Sequence, residues 1–425
     1  MIYQLLKPFI RILFHFYFKK LYFYGEEKIP KDRAILFAVN HPTAFLDPIF
    51  VAAHIGPSTS FLLRGDLFVK PIVIWFLNQI KTIPVFRFRD GYSSLKNNQD
   101  TFERCYDQLG KGQNILVLAE GQTEHEKKLR PIQKGTARLL LGAFEKHPNG
   151  KYCILPISVN YTAANELRSE MMNAVGEPIL LEDYLDAYKE NPRKAVKQIT
   201  DEITRQLKES VVHIADNADA PFTDHILSYK RNERNKTLLP YKIRTNQSIR
   251  EEVHIANTVN TMEASDKEKI RQQVEHYQQL LQQHKLSDFA LAQPSYYHFA
   301  YNLFFLIGLP FWLIGYGLFY KIPFGLAQSF ADKNIKKPAF YGSIILGFSL
   351  AIYMIPTLIL LLVALFTLSW KLLVGILVFY ALIYFGLHYQ DFYLAQQDSK
   401  GWKGVSEKER ANLLEARNLV MEWFG

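Results

Sequence analysis

His41 and Asp47 are residues whose types and spacing could do chemistry: they stand in NHPTAFLDP, with five residues between them, just after the apolar run Ala34–Val39. An imidazole accepts and returns a proton near neutral pH, and a nearby carboxylate can orient its ring. A strand that ends abruptly in a polar turn is a common way to display such groups. The same offset recurs at His213 and Asp219 in otherwise unremarkable sequence. The pair therefore gains meaning only from what surrounds it.

Other polar features fall at the ends of apolar runs. Arg64-Gly65-Asp66-Leu67-Phe68 precedes Lys70-Pro71, and Arg87 follows Ile83-Pro84-Val85. Glu120-Gly121-Gln122-Thr123 follows Ile115–Ala119 and leads to Lys134-Gly135, and Ile154-Leu155-Pro156-Ile157 closes the set. The cations suit an anionic group, and Arg87 suits phosphate best because its guanidinium fork matches phosphate oxygens. The histidine would then deprotonate a hydroxyl held beside that group. No Gly-x-Ser-x-Gly elbow or Walker loop occurs, no metal-ligand spacing is present, and neither cysteine sits in an electropositive turn. Direct transfer to a hydroxyl, with no covalent enzyme intermediate, is the simplest chemistry left. Lys127, Lys128 and Arg130 read as a solvated loop, and Cys153 as a small core hydrophobe.

These residues need an α/β scaffold. Short apolar runs predict strands over Leu21–Tyr24, Ala34–Val39, Ser60–Leu63, Ile83–Val85, Asn114–Leu118 and Tyr152–Val159. Helical patterns predict Asp47–His54, Lys70–Ile80, Tyr92–Leu109, Gly135–Lys146 and Pro192–Glu209. The polar features then gather at strand ends, where open α/β sheets bind ligands.

The ordered set NHPTAFLDP, RGDLF with KP, IPVFR, EGQT and ILPISV resembles the glycerophospholipid acyltransferase family over about residues 20–215. The resemblance implies an acyltransferase domain with a central mixed sheet flanked by helices. It implies transfer of an acyl group from a coenzyme A or acyl-carrier-protein thioester, with no bound cofactor, to glycerol-3-phosphate or lysophosphatidate. On that basis His41 is the general base and Asp47 holds its ring. Arg87 grips the acceptor phosphate, while Glu120, Gly121, Thr123 and Lys134 shape the acceptor pocket. Asn40 and Arg64 support the site, and Pro156 belongs to the apolar fourth motif. The chain departs from the commoner pattern in its longer His–Asp spacing, in Ala119 where Pro is usual, and in Gln122-Thr123. The longer spacing resembles a subgroup that includes fungal endoplasmic-reticulum glycerol-3-phosphate acyltransferases.

At 425 residues the chain should hold more than one unit, and its net charge of +9 suits a phosphate-bearing partner. Residues 1–20 carry Lys7, Arg11, His15 and Lys19 as a cationic stripe on an otherwise apolar helix, which suits an interfacial membrane anchor. Residues 21–215 are the acyltransferase domain. Residues 216–295 read as a polar helical linker. There Lys230, Arg231, Arg234, Lys236, Lys242 and Arg244 suggest a headgroup-facing patch, and Ser265-Asp266-Lys267-Glu268 a capping box. No fold for binding nucleic acid is evident. Residues 296–390 hold apolar stretches long enough to cross a bilayer, and 391–425 a tail helix. Lysines 321, 333, 336 and 337 favour a re-entrant hairpin bent near Pro310, followed by spans at about 342–366 and 372–388. The expectation is a membrane enzyme, in a bacterial inner membrane with a cytoplasmic site or in the endoplasmic reticulum. The alternatives are an acyltransferase for another lyso- or amino-lipid, or a non-catalytic lipid-binding protein.

Overall fold

The structure is a computed structural model that describes residues 2–55, 58–86, 92–234 and 241–424, with the side chains of 92–98 left aside. Arg87 therefore lies outside the described residues, as does Lys236. The chain divides into two compact units, one of residues 1–212, 242–249 and 337–343, the other of 213–241, 250–336 and 344–425.

The first unit is built on a mixed sheet. Its strands are β1 (Phe18–Tyr24), β2 (Ala34–Val39), β3 (Thr59–Arg64), β4 (Thr82–Val85), β5 (Asn114–Leu118), β6 (Tyr152–Tyr161), β7 (Ser169–Val175), β8 (Ile179–Leu180) and β9 (Lys242–Ile243). They run in the order β4-β3-β5-β2-β6-β7-β1-β9, with β8 beside β6. β6 meets β7 and β8 antiparallel, and the other pairings are parallel. Every residue of β2 is buried, as a central parallel strand covered on both faces requires.

Seven helices belong to this unit: α1 (Ile2–Tyr17), α2 (Leu46–His54), α3 (Pro71–Gln79), α4 (Tyr92–Gly110), α5 (Gly135–Lys146), α6 (Leu185–Glu190) and α7 (Pro192–Lys208). Leu139, Leu140 and Ala143 of α5 join Leu36, Ile115 and Ile154 of the sheet in one core, which Ile199 and Ile203 of α7 extend. Asn191 opens α7 by accepting from the backbone N–H groups of Arg193 and Lys194. The apolar face of α1 turns inward. Phe14 lies 6.2 Å from the Phe50 ring, and the Tyr3 hydroxyl donates to Ala52 O at 3.2 Å. Residues 1–20 thus fold with the domain that follows them.

In the second unit the segment expected to be a linker forms helices α8 (Ala220–Glu233), α9 (Gln247–Thr261, entering from the first unit), α10 (Ala264–Gln283) and α11 (Asp288–Ala292). Three of the cations expected to form a headgroup-facing patch meet acids. Arg231 pairs with Glu252 at 2.8 Å and Arg234 with Glu251 at 3.0 Å. In the first unit, Lys242 pairs with Glu26 at 2.8 Å. The capping box at Ser265 also fails: α10 starts at Ala264, with Glu263 two residues earlier in the capping position and no side-chain cap bond.

Among the described residues, three helices are long and apolar enough to cross a membrane: Tyr301–Asn334, Pro338–Phe366 and Trp370–Lys403. The first runs straight through Pro310, so the re-entrant hairpin is not formed. Beyond the proline the helix continues as a π-helical stretch, Leu313–Lys321.

Candidate active site

β2 ends at Val39, and the chain bends through residues 42–45 before α2 begins at Leu46. This loop, rather than a continuous helix, lets Asp47 reach back to His41. Asp47 is wholly buried and His41 is 5% exposed. His41 Nδ1 lies 3.0 Å from Asp47 Oδ2, which leaves Nε2 as the second ring nitrogen.

Three neutral donors complete the carboxylate's shell. The Thr43 N–H donates to Oδ2 at 3.0 Å, while the Thr43 hydroxyl donates to Oδ1 at 2.6 Å and the Tyr161 hydroxyl at 2.8 Å. Neither Thr43 nor Tyr161 was picked out from the sequence. Thr43 could have been, as the hydroxyl between His41 and Asp47, whereas Tyr161 is a distant residue on β6. Asn40 locks the end of β2 to β6, donating to Val159 O at 3.0 Å and accepting from Val159 N–H at 2.7 Å.

His41 opens onto a cavity of about 720 Å³, all of it within the first unit. Leu62, Leu63, Phe102, Val117 and Leu139 give it an apolar side, and Arg64, Gln122, Thr123, His125 and Lys337 a polar one. Arg64 donates through Nε to Asp66 Oδ1 at 3.0 Å, so its charge is already partly engaged. Gly121 also lines the cavity. Its φ of +72° is a left-handed backbone that favours glycine, and an added Cβ would stand 3.1 Å from Gln133 Cγ.

Two residues expected at the acceptor pocket, Glu120 and Lys134, stand elsewhere. Glu120 is not among the cavity's lining residues: it is buried, 3.2 Å from Arg130 Nη1. Burial pushes its carboxyl up to about 7, although Arg130 and the His41 backbone N–H both pull the other way. Arg130 is accordingly no solvated loop residue, since it is 9% exposed and reaches Glu126 at 3.3 Å as well. Lys134 precedes α5 and lines a separate depression of about 400 Å³ with Arg138, Tyr188 and Arg193. Pro156 sits in the sheet opposite Ala38, where its carbonyl accepts from Gly176 N–H at 2.8 Å.

Two other features of the cavity went unread in the sequence. His125 places a second imidazole there; its Nε2 lies 3.3 Å from Asn165 Nδ2, and burial pulls its pKa down. The segment 337–343 supplies part of the wall through Lys337, Pro338, Ala339 and Phe340. Ala44 N–H donates to Ala339 O at 2.8 Å, Phe45 N–H to Ser343 Oγ at 3.0 Å, and the Phe45 and Phe340 rings meet edge to face at 5.9 Å. Gly342 permits this approach, because a Cβ there would fall 2.5 Å from Ala164 O. Among the described residues, no three acidic, histidine or cysteine side chains cluster as metal ligands would.

Residues 20–160 match the family model "Acyltransferase". The chain is similar to Saccharomyces cerevisiae glycerol-3-phosphate O-acyltransferase 2, at 31% identity over 117 residues (27% of this chain, 16% of the relative). It is similar to glycerol-3-phosphate O-acyltransferase 1 of the same yeast, at 28% over 166 residues (38% and 21%). It is also similar to a chloroplastic 1-acyl-sn-glycerol-3-phosphate acyltransferase of Brassica napus, at 27% over 112 residues (26% and 30%). These matches span a third or less of each relative's length. The solved 1-acyl-sn-glycerophosphate acyltransferase of Thermotoga maritima superposes loosely, with 17% identity and a TM-score of 0.37 over 49% of this chain and 78% of that one. The His41–Asp47 pair lies within the residues that match the acyltransferase family model, and over part of its length the chain is similar to glycerol-3-phosphate and 1-acylglycerol-3-phosphate acyltransferases.

Proposed function

We propose that the chain is a membrane-bound O-acyltransferase that moves a fatty acyl group from a thioester to the hydroxyl of glycerol-3-phosphate or 1-acylglycerol-3-phosphate. The observation that carries this reading is His41 Nδ1 at 3.0 Å from a fully buried Asp47, with the ring facing a cavity of about 720 Å³. The relatives' names supply the two acceptors, and the three long apolar helices support the membrane setting. The membrane would be a bacterial inner membrane with the site on the cytoplasmic side, or the endoplasmic reticulum.

Asp47 fixes the imidazole so that Nε2 accepts the proton as the acceptor oxygen attacks the thioester carbonyl carbon. The tetrahedral intermediate collapses, the C–S bond breaks, and the imidazolium returns its proton to the thiolate. The products are an ester and a free thiol, and no acyl-enzyme forms. The thioester is that of coenzyme A or an acyl carrier protein, a co-substrate rather than a resident cofactor. The apolar wall suits the acyl chain. Arg64 and Lys337 are described cations at the cavity, and Arg87 keeps the phosphate-gripping role that the family resemblance gives it.

The test is incubation of purified membranes with labelled acyl donors and a panel of lyso-lipid, amino-lipid and glycerol-phosphate acceptors, with products read by mass. The two proposed acceptors should give product, and His41→Ala should lower the rate by about 10²-fold or more. Turnover retained by His41→Ala refutes the base assignment. No product from any acceptor points to a lipid-binding protein without catalysis.

A further inference from the structure

One helix of the first unit carries its large apolar side chains outward. In α3, Ile72 is 69% exposed, Trp75 52% and Phe76 43%, and Val69 just before it is 73% exposed. Leu77 is the helix's one buried residue. Ile72, Val73 and Phe76 recur at three- and four-residue spacing and so form one stripe, with Trp75 at its border. A contiguous apolar patch of this kind marks a surface that something covers.

The charges around it indicate what that is. Lys70 and Lys81 bracket α3, and both are exposed. On α1, burial and then the positive charges of Arg11 and Lys81 hold the Lys7 ammonium below its ordinary value, which places those three cations close together. An apolar stripe with a tryptophan at its border and lysines around it has the make-up of a helix lying in a lipid interface, where the lysines meet anionic headgroups.

We propose that α3, with Val69 beside it, is a docking surface for an anionic lipid leaflet, additional to the helices that cross the membrane. The surface adjoins the candidate active site. Leu67, at the end of the short turn before α3, is 40% exposed and also lines the cavity of His41. With α3 seated in the leaflet, the acyl chains of a lipid reach the cavity rim without crossing water. That delivery role rests on the acyltransferase reading, whereas the docking does not.

The experiment uses the full chain with a spin label at Ile72→Cys or Trp75→Cys and a control label at Lys189→Cys. Cys105 and Cys153 are buried and stay in place, and Lys189 is 75% exposed. In vesicles of phosphatidylcholine and phosphatidylglycerol, labels at 72 and 75 should collide freely with oxygen and little with a water-soluble nickel chelate, and the label at 189 the reverse. Aqueous behaviour at 72 and 75 overturns the proposal. So does spin–spin broadening in lipid-free detergent, which would identify the occupant as a second copy of this chain. The variant carrying Ile72→Glu and Trp75→Glu should lose at least about tenfold in kcat/KM toward a bilayer-embedded acceptor and keep its rate on a water-soluble short-chain one. Equal loss on both acceptors refutes delivery. The label readings need no turnover, so they stand or fall separately from the acyltransferase reading.

Discussion

The Tyr161 hydroxyl donates to Asp47 Oδ1 at 2.8 Å across 114 residues of sequence. The other carboxylate oxygen, Oδ2, faces His41 Nδ1 at 3.0 Å. The tyrosine is buried, and loss of its proton is strongly opposed by burial first and by the adjacent Asp47 second. It therefore remains a donor and draws negative charge away from the carboxylate. Tyr161→Phe removes one hydrogen bond and keeps the ring. The expected result is a roughly tenfold fall in kcat with little change in KM. An unchanged kcat would assign Tyr161 a packing role only.

Thr43 holds both oxygens of the same carboxylate, through its N–H at 3.0 Å and its hydroxyl at 2.6 Å. Thr43→Val keeps the shape and the N–H and removes the hydroxyl. Leaving Oδ1 one donor short should cost about 1–3 kcal/mol of stability, measured by denaturation in detergent. Thr43→Ser should restore most of it.

Burial raises the Glu120 carboxyl to about 7, so the folded chain holds that proton more tightly than the unfolded chain does. The resulting stabilisation is fully present below the unfolded value of about 4.3 and is lost as pH rises through about 7. The loss across that window should be on the order of 3 kcal/mol. Glu120→Gln should flatten this part of the stability–pH curve, read from thermal denaturation. An unchanged slope would mean that Arg130 keeps the carboxylate ionised throughout.

Gly342 stands where a Cβ would lie 2.5 Å from Ala164 O, a backbone atom that cannot swing aside. Gly342→Ala should push segment 337–343 off the turn at Ala44 and Phe45. The expected signature is lower activity with a destabilisation of about 1–3 kcal/mol. Full activity would show that the wall tolerates displacement.

Much of this could be read from the sequence where local pattern governs. The predicted bounds of β2, β5 and α5 match the structure because each is an apolar or periodic run bounded by turn residues. β7 was not foreseen: it reads SEMMNAV, and its Asn173 looks like a surface residue yet is buried, with its side-chain amide 3.4 Å from Tyr22 O. The motif residues divide in the same way. His41 and Asp47 belong to one turn, so local sequence announced them. Lys134 and Pro156 are drawn to the site by the family resemblance alone, whereas their positions follow the helix start and the strand they occupy. The cations at 231, 234 and 242 could not be judged from the sequence, since each is neutralised by an acid distant in sequence.

The bond from Phe45 to Ser343 joins residues 298 positions apart. A nascent chain that has already produced residues 20–160 still lacks one side of the cavity that His41 lines. That side is added only after the ribosome has passed the first long apolar helix, Tyr301–Asn334. Translation order thus leaves the cavity unfinished until a stretch long and apolar enough to cross a membrane has been made.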